Sequence, residues 1–250
     1  MATKISEASE VSTLSDSYAL PLSTGGSSAN KVTVSTLAEY AVKYCSGIGV
    51  LLISKSVTDT RPRIVDFARY INSLTGDYDA LGLIIPSGST RLVVALDEPD
   101  DTMYWSSSET LYDTEFSTSK TAAADYDGEG HAEAAALTES GYAMGYCSTY
   151  SKAGDSGRGI PAGSWWLPSG GEMISISMNY HAIDFALSAL SAVGIATTNL
   201  RRATYWTSTE RSASSAWLVE TSYASFSTGT KTSSSYRVRP VTAIQNYSEI

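Results

Sequence analysis

The side chains able to do chemistry in this 250-residue chain are few and scattered. There are two cysteines, Cys45 and Cys147, and two histidines, His131 and His181. None has a Cys or His neighbour at metal-ligand spacing. The cysteines read as free, small, buried hydrophobes, and both histidines as structural. Covalent catalysis needs a nucleophile with an activating base beside it. No second Cys and no His falls in the C-terminal region, so no catalytic residue is assigned. Asp125-Tyr126-Asp127-Gly128-Glu129 carries a fragment of a calcium-loop pattern, but no Glu follows at the spacing such a loop requires. It reads as a solvated acidic turn ahead of a helix. No metal and no cofactor is expected.

What the chain holds in quantity is hydroxyl groups, concentrated between Tyr205 and Val241. There Tyr205, Trp206, Trp217, Val219, Val238 and Val241, residues fit for a core, alternate with Ser and Thr that a core could not bury unpaired. The contrast implies a rigid frame displaying a polar surface, which suits binding better than catalysis. The aromatic share points the same way, with 16 Tyr and 5 Trp against 4 Phe, a bias of surfaces that are rigid and able to hydrogen-bond. A net charge of -9 argues against nucleic acid and anionic membranes as partners.

The elements that must position this surface follow from the pattern upstream. Residues 1–46 read as a small unit. Tyr18–Leu22 and Lys31–Val34 form strands about a turn at Gly25-Gly26-Ser27, and Ser35 caps a helix bearing Leu37, Tyr40, Ala41 and Tyr44. So short a unit buries too little by itself and is expected to trimerise or to dock on another protein. The N-terminus lacks the apolar run of a signal peptide, and no segment has ~18 continuous apolar residues, so synthesis in a cytoplasm is expected. Residues 47–76 read as a linker and spacer helix, with Ile64, Phe67, Ala68, Ile71 and Leu74 on one face, Gly76 at its end, and Arg61, Arg63, Asp66 and Arg69 solvated.

From residue 77 to 250 the chain reads as one mixed α+β domain. Leu81–Ile85 and Arg91–Leu96 form a hairpin. Ordered loops anchored by Tyr104 and Trp105 follow. Next come an Ala-rich helix over His131–Tyr150, with Gly141 and Gly145 allowing close packing, a loop at Asp155–Gly159, and a second helical region over Glu172–Val193. In the final strands Trp217, Val219 and Thr221 are expected to point inward, and Leu218, Glu220 and Ser222 outward.

Three signatures stand in order: Trp166-Leu167-Pro168-Ser169 leading into Gly171-Glu172-Met173, Tyr205-Trp206-Thr207-Ser208-Thr209-Glu210, and Arg237-Val238-Arg239-Pro240-Val241. Ser169 and Glu172 have the spacing of a capping box. With Leu92–Leu96 and the helix ending at Tyr146-Cys147, they resemble C-type-lectin-fold domains related to the formylglycine-generating enzymes, over about residues 77–244. Within that group the chain looks most like variable proteins of diversity-generating retroelements, whose last strands and loops are rewritten by adenine-directed mutagenesis. Residues 4–37 are similar to the attachment module of phage tail-fibre and baseplate-associated proteins.

The resemblance implies a ligand face of exchangeable residues at Arg211, Ala213, Ser215, Leu218, Glu220, Ser222, Tyr223, Ser225, Ser227, Thr230, Thr232, Ser234 and Tyr236. Among these Tyr223, Tyr236, Arg211 and Leu218 are the anchors, since aromatic and Arg side chains dominate binding hot spots. It further implies a homotrimer at a virion tail tip, held to other tail or baseplate proteins through residues 1–46 and binding a protein or glycan of the host surface. A cell-encoded surface adhesin of the same fold and a structural virion protein are the alternatives. Glu98-Pro99-Asp100 resembles the sugar-binding tripeptide of calcium-dependent lectins, but the Trp-Asn-Asp partner is missing and it reads as a turn. Arg201-Arg202 read as partners of acidic loops or of an anionic ligand.

Overall fold

The computed structural model describes residues 47–59, 61–243 and the backbone of 248–249. The unit expected over residues 1–46, with Cys45, lies outside the described residues. The fold is α+β, with small, mainly antiparallel sheets and a few helices.

Its largest sheet has six strands in the order β10-β4-β3-β1-β2-β11, made by β1 (Gly49–Ser54), β2 (Arg63–Asp66), β3 (Tyr78–Ser87), β4 (Thr90–Ala95), β10 (Val241–Ala243) and β11 (Ser248–Glu249). Strand β1, GVLLIS, is a continuous apolar run because both faces of the sheet are covered. Val50 and Leu52 join the main core, and Leu51 and Ile53 join a smaller one with Val93, Ile160 and Trp165. A bulge shifts the β1–β3 register between Leu51 and Leu52, so Leu81 has no counterpart and the inward side of β3 changes parity. The expected hairpin is β3–β4, closed by Gly88 at φ 56°.

The span 47–76 is therefore not a linker. It supplies β1, an interior strand, and β2. The spacer helix is reduced to α1 (Phe67–Arg69) and a wider π-helical turn over Tyr70–Leu74. Ile64 belongs to β2, where Val65 is buried beside it. The Asp66 carboxylate then starts the helix by accepting the N–H groups of Ala68 and Arg69, at 2.9 and 3.3 Å. The apolar spacing from Ile64 onward thus straddles a strand and a helix.

After α2 (Ser119–Ala123), the Ala-rich stretch divides into α3 (Gly128–Ala135) and α4 (Ala143–Thr149). The break follows from Ala136, left-handed at φ 49°. Gly145 packs against the Glu139 backbone as expected of close approach, whereas Gly141 faces open space. A two-residue hairpin, β5 (Lys152–Ala153) with β6 (Gly159–Ile160), precedes the second helical region, which is α5 (Gly170–Met178) and α6 (Tyr180–Ala192) meeting at Asn179. Glu172 closes the capping box on the N–H of Ser169 at 2.8 Å. Met173, Ile176, Ile183, Leu187 and Leu190 from these two helices fill the main core.

Candidate functional site

The C-terminal residues build a separate antiparallel sheet, β7 (Thr204–Ser212), β8 (Ser215–Glu220) and β9 (Ser225–Thr230) in that order. It stands between two cores. On one face Tyr205 and Val219 join the main core, while Trp217 meets Phe226 edge-on at 5.8 Å and donates from Nε1 to the Phe116 carbonyl at 2.7 Å. On the other face Trp206, Ala216 and Leu218 pack with Trp105, Met144, Cys147 and Leu167. The expected inward-outward alternation of β8 therefore fails at Leu218, which is 1% exposed. A strand covered on both sides has no solvent face, so Leu218 is core and leaves the ligand set.

The remaining expected positions divide by place. At the β7–β8 turn, Arg211 and Ala213 are exposed and Ser215 half-buried beside its partner Thr230. The Arg211 guanidinium lies over the Trp217 ring at 5.9 Å. The turn after β9 adjoins this end, since Lys231 N–H donates to the Ser214 carbonyl at 3.0 Å. In it the Ser234 hydroxyl accepts from Thr230 N–H at 3.1 Å, and Thr232 donates to Glu109 at 3.0 Å. At the opposite end of β8, roughly 20 Å away for a six-residue strand, lies the β8–β9 turn. Tyr223 is 85% exposed there, with Ser222 and Ser225 also exposed. Glu220 accepts the N–H groups of Ser222 and Tyr223 at 3.1 and 3.0 Å, so its carboxylate shapes the turn.

Ser227 is exposed on β9 between the two ends, and half-buried Tyr236 meets Trp206 edge-on at 5.1 Å. Gly229 has to be glycine for that contact, because a Cβ there would come 2.7 Å from Trp206 and 2.8 Å from Tyr236. The strip thus joins a cationic end to a phenolic end through hydroxyls. Thr228, Ser214, Ser233 and Ser235, outside the expected set, share the exposure. Their signal was membership in the same Ser/Thr run.

Buried charges hold this sheet to the preceding loops. Arg239 is paired with Glu98 at 2.9 Å and donates to the carbonyls of Ala95 and Thr198, while Arg237 donates to the Asp100 carbonyl at 2.6 Å. The Glu98-Pro99-Asp100 turn is therefore what the RVR motif grips. Arg201 also pairs with Glu98, at 3.3 Å, and Arg202 lies over Tyr180 at 5.7 Å.

The acidic stretch before α3 is solvated at Asp127 and Glu129 but not at Asp125. Asp125 is buried, accepting from His131 Nε2 at 2.8 Å and Thr209 Oγ1 at 2.5 Å, while His131 Nδ1 donates to Asp113 at 2.6 Å. Burial opposes the charged imidazole, but the two carboxylates outweigh it and raise its pKa to about 9. Asp127 caps α3 by accepting the N–H of Gly130 at 3.1 Å. Among the described residues no cluster of His, Cys, Asp and Glu is arranged to hold a metal ion. Burial holds the Cys147 thiol well above its usual range, so it packs as a hydrophobe. A pair missed in the sequence, Glu210 with Lys231, is buried directly beneath the β7–β8 turn. The sole hint was that Lys231 is the one charged residue between Glu220 and Arg237.

No family model matches the chain, and no curated protein matches it. Among solved structures it is similar to a fimbrial protein from Bacteroides ovatus, with 18% identity and a TM-score of 0.42. The likeness covers 61% of this chain and 35% of that one.

Proposed function

We propose that this chain is a receptor-binding adhesin of a phage tail tip, in which a lectin-type domain presents the β8–β9 strip and its flanking turns to the host surface. The observation that carries the reading is the division within β7–β9. The sheet is fixed by two cores and by buried ion pairs, while exposed Ala213, Ser222, Tyr223, Ser225 and Ser227 make no core contact that would restrict their exchange, and exposed Arg211 meets the core where its guanidinium lies over the Trp217 ring. A frame of this kind tolerates replacement of its exposed residues, the property a diversified recognition surface requires. The partner is a host-surface protein or glycan that accepts hydrogen bonds from hydroxyls and is anchored by the guanidinium of Arg211 and the phenol of Tyr223. Attachment to other tail proteins, and assembly as a homotrimer, are assigned to residues 1–46. Several copies would then raise modest monovalent affinity through avidity.

The test is adsorption by virions whose copy carries Arg211→Ala together with Tyr223→Ala. Both side chains are exposed, so assembly is expected to be normal and host attachment lost. Normal assembly with unchanged attachment would overturn the proposal. Diversification is tested separately, in the neighbouring DNA, by a near-copy of the 205–241 segment rich in asparagine codons beside a reverse transcriptase.

A further inference from the structure

Glu210 on β7 and Lys231, the residue after β9, are withdrawn from water, with side-chain exposures of 3% and 0%. Lys231 Nζ contacts Glu210 Oε2. The other carboxylate oxygen, Oε1, accepts two backbone N–H groups, from Tyr112 and Asp113, each at 2.9 Å. The amine donates to the Thr110 carbonyl at 2.6 Å and is roofed by the rings of Trp105 and Tyr112, at 4.6 and 5.4 Å. Burial lowers the pKa of Lys231 against the opposing pull of Glu210. These are the ingredients of acyl transfer in one dry site. A desolvated amine is a nucleophile, two convergent N–H groups stabilise an oxyanion, and fixed contact replaces encounter.

We propose that Glu210 and Lys231 condense into an intramolecular amide joining Nζ to Cδ. One proton passes from the ammonium to Oε2, leaving a neutral amine and a carboxylic acid. The nitrogen lone pair attacks Cδ, and the negative charge that develops on Oε1 is held by the N–H groups of Tyr112 and Asp113. A second proton moves from Nζ to Oε2, the Cδ–Oε2 bond breaks, and water leaves. The third proton remains on the amide nitrogen, facing the Thr110 carbonyl. The products are one amide and one water, and no oxidant or reductant takes part. The bond would close a ring around every expected ligand position except Thr232, Ser234 and Tyr236, so the displayed turns would stay joined whatever side chains they carry.

The experiment is mass spectrometry of the full-length protein, intact under denaturing conditions and after tryptic digestion. The expected result is a chain lighter than its sequence by one water, with one branched peptide linking Glu210 to Lys231 and no cleavage after Lys231. Lys231→Arg is expected to restore the full mass, a readout that does not depend on native folding. A wild-type chain at full mass with linear peptides overturns the proposal. So does a water loss that maps elsewhere, for example to Asp127-Gly128.

Discussion

The guanidinium of Arg239 lies 2.9 Å from the Glu98 carboxylate, and neither side chain reaches solvent. The pair ties the segment leading into β10 to the loop after β4, where Tyr205 also donates to Glu98, at 2.8 Å. Removing one partner leaves a buried, uncompensated charge. Glu98→Ala is therefore expected to cost about 3–5 kcal/mol in urea denaturation. Arg237→Ala, which deletes hydrogen bonds of a half-buried side chain, is expected to cost about 1 kcal/mol. Equal costs would contradict this division between a buried ion pair and a half-buried hydrogen bond.

Within β8 and β9, position decides what can be exchanged. Leu218 is buried against Trp206, Cys147 and Leu167, whereas its cross-strand partner Ser227 is exposed. Leu218→Ala is expected to destabilise by about 2–5 kcal/mol, and Ser227→Ala to stay within about 0.5 kcal/mol of wild type. Paired thermal melts would decide it. A neutral Leu218→Ala would return that residue to the ligand face.

The contrast shows what the sequence could convey. Local signals were legible: the β3–β4 hairpin with Gly88 in its turn, the Ser169–Glu172 capping box, and the core roles of Trp206 and Trp217. Each depends on residues near in sequence. What was not legible depends on partners far away. Leu218 looked outward because alternation presumes one wet face, and α4 with Trp105 covers the other face. Asp125 looked solvated because Thr209, 84 residues along the chain, meets it only through folding of the whole domain. Residues 47–76 looked like a linker because the periodicity around Ile64 matches a helix, while the outer strand neighbours of the β1–β2 pair come from residues 78–87 and 248–249.

The imidazole of His131 joins the 113 loop to α3 and β7 through Asp113 and Asp125. Its pKa rises from 6.5 to about 9, against burial, because both carboxylates favour the cation. A raised cationic pKa contributes stability that is complete below about pH 6.5 and lost as pH climbs through about 9. Asp125 is shifted the other way, downward despite its burial, so its share is lost on acidification below about pH 4. His131→Gln is expected to cost about 3 kcal/mol near pH 6, a deficit that shrinks toward pH 10. A deficit independent of pH across that range would show that the charge on His131 does not matter.

Glu172 carries the opposite kind of strain, a carboxylate that burial disfavours. It lies 5% exposed at the start of α5, accepting from Ser169 N–H at 2.8 Å and Trp166 Nε1 at 3.3 Å. Burial outweighs these bonds and lifts its pKa from 4.5 to about 7. A folded-state pKa above the unfolded one means that the associated stability is complete below about pH 4.5 and is lost as pH rises through about 7. Glutamine keeps an oxygen to accept from Ser169 and cannot ionise. Glu172→Gln is therefore expected to match wild type near pH 4.5 and to exceed it above about pH 8 by on the order of 3 kcal/mol. Urea denaturation at both pH values measures the difference. A variant less stable than wild type at the higher pH would mean that the ionised carboxylate earns its place as the cap of α5.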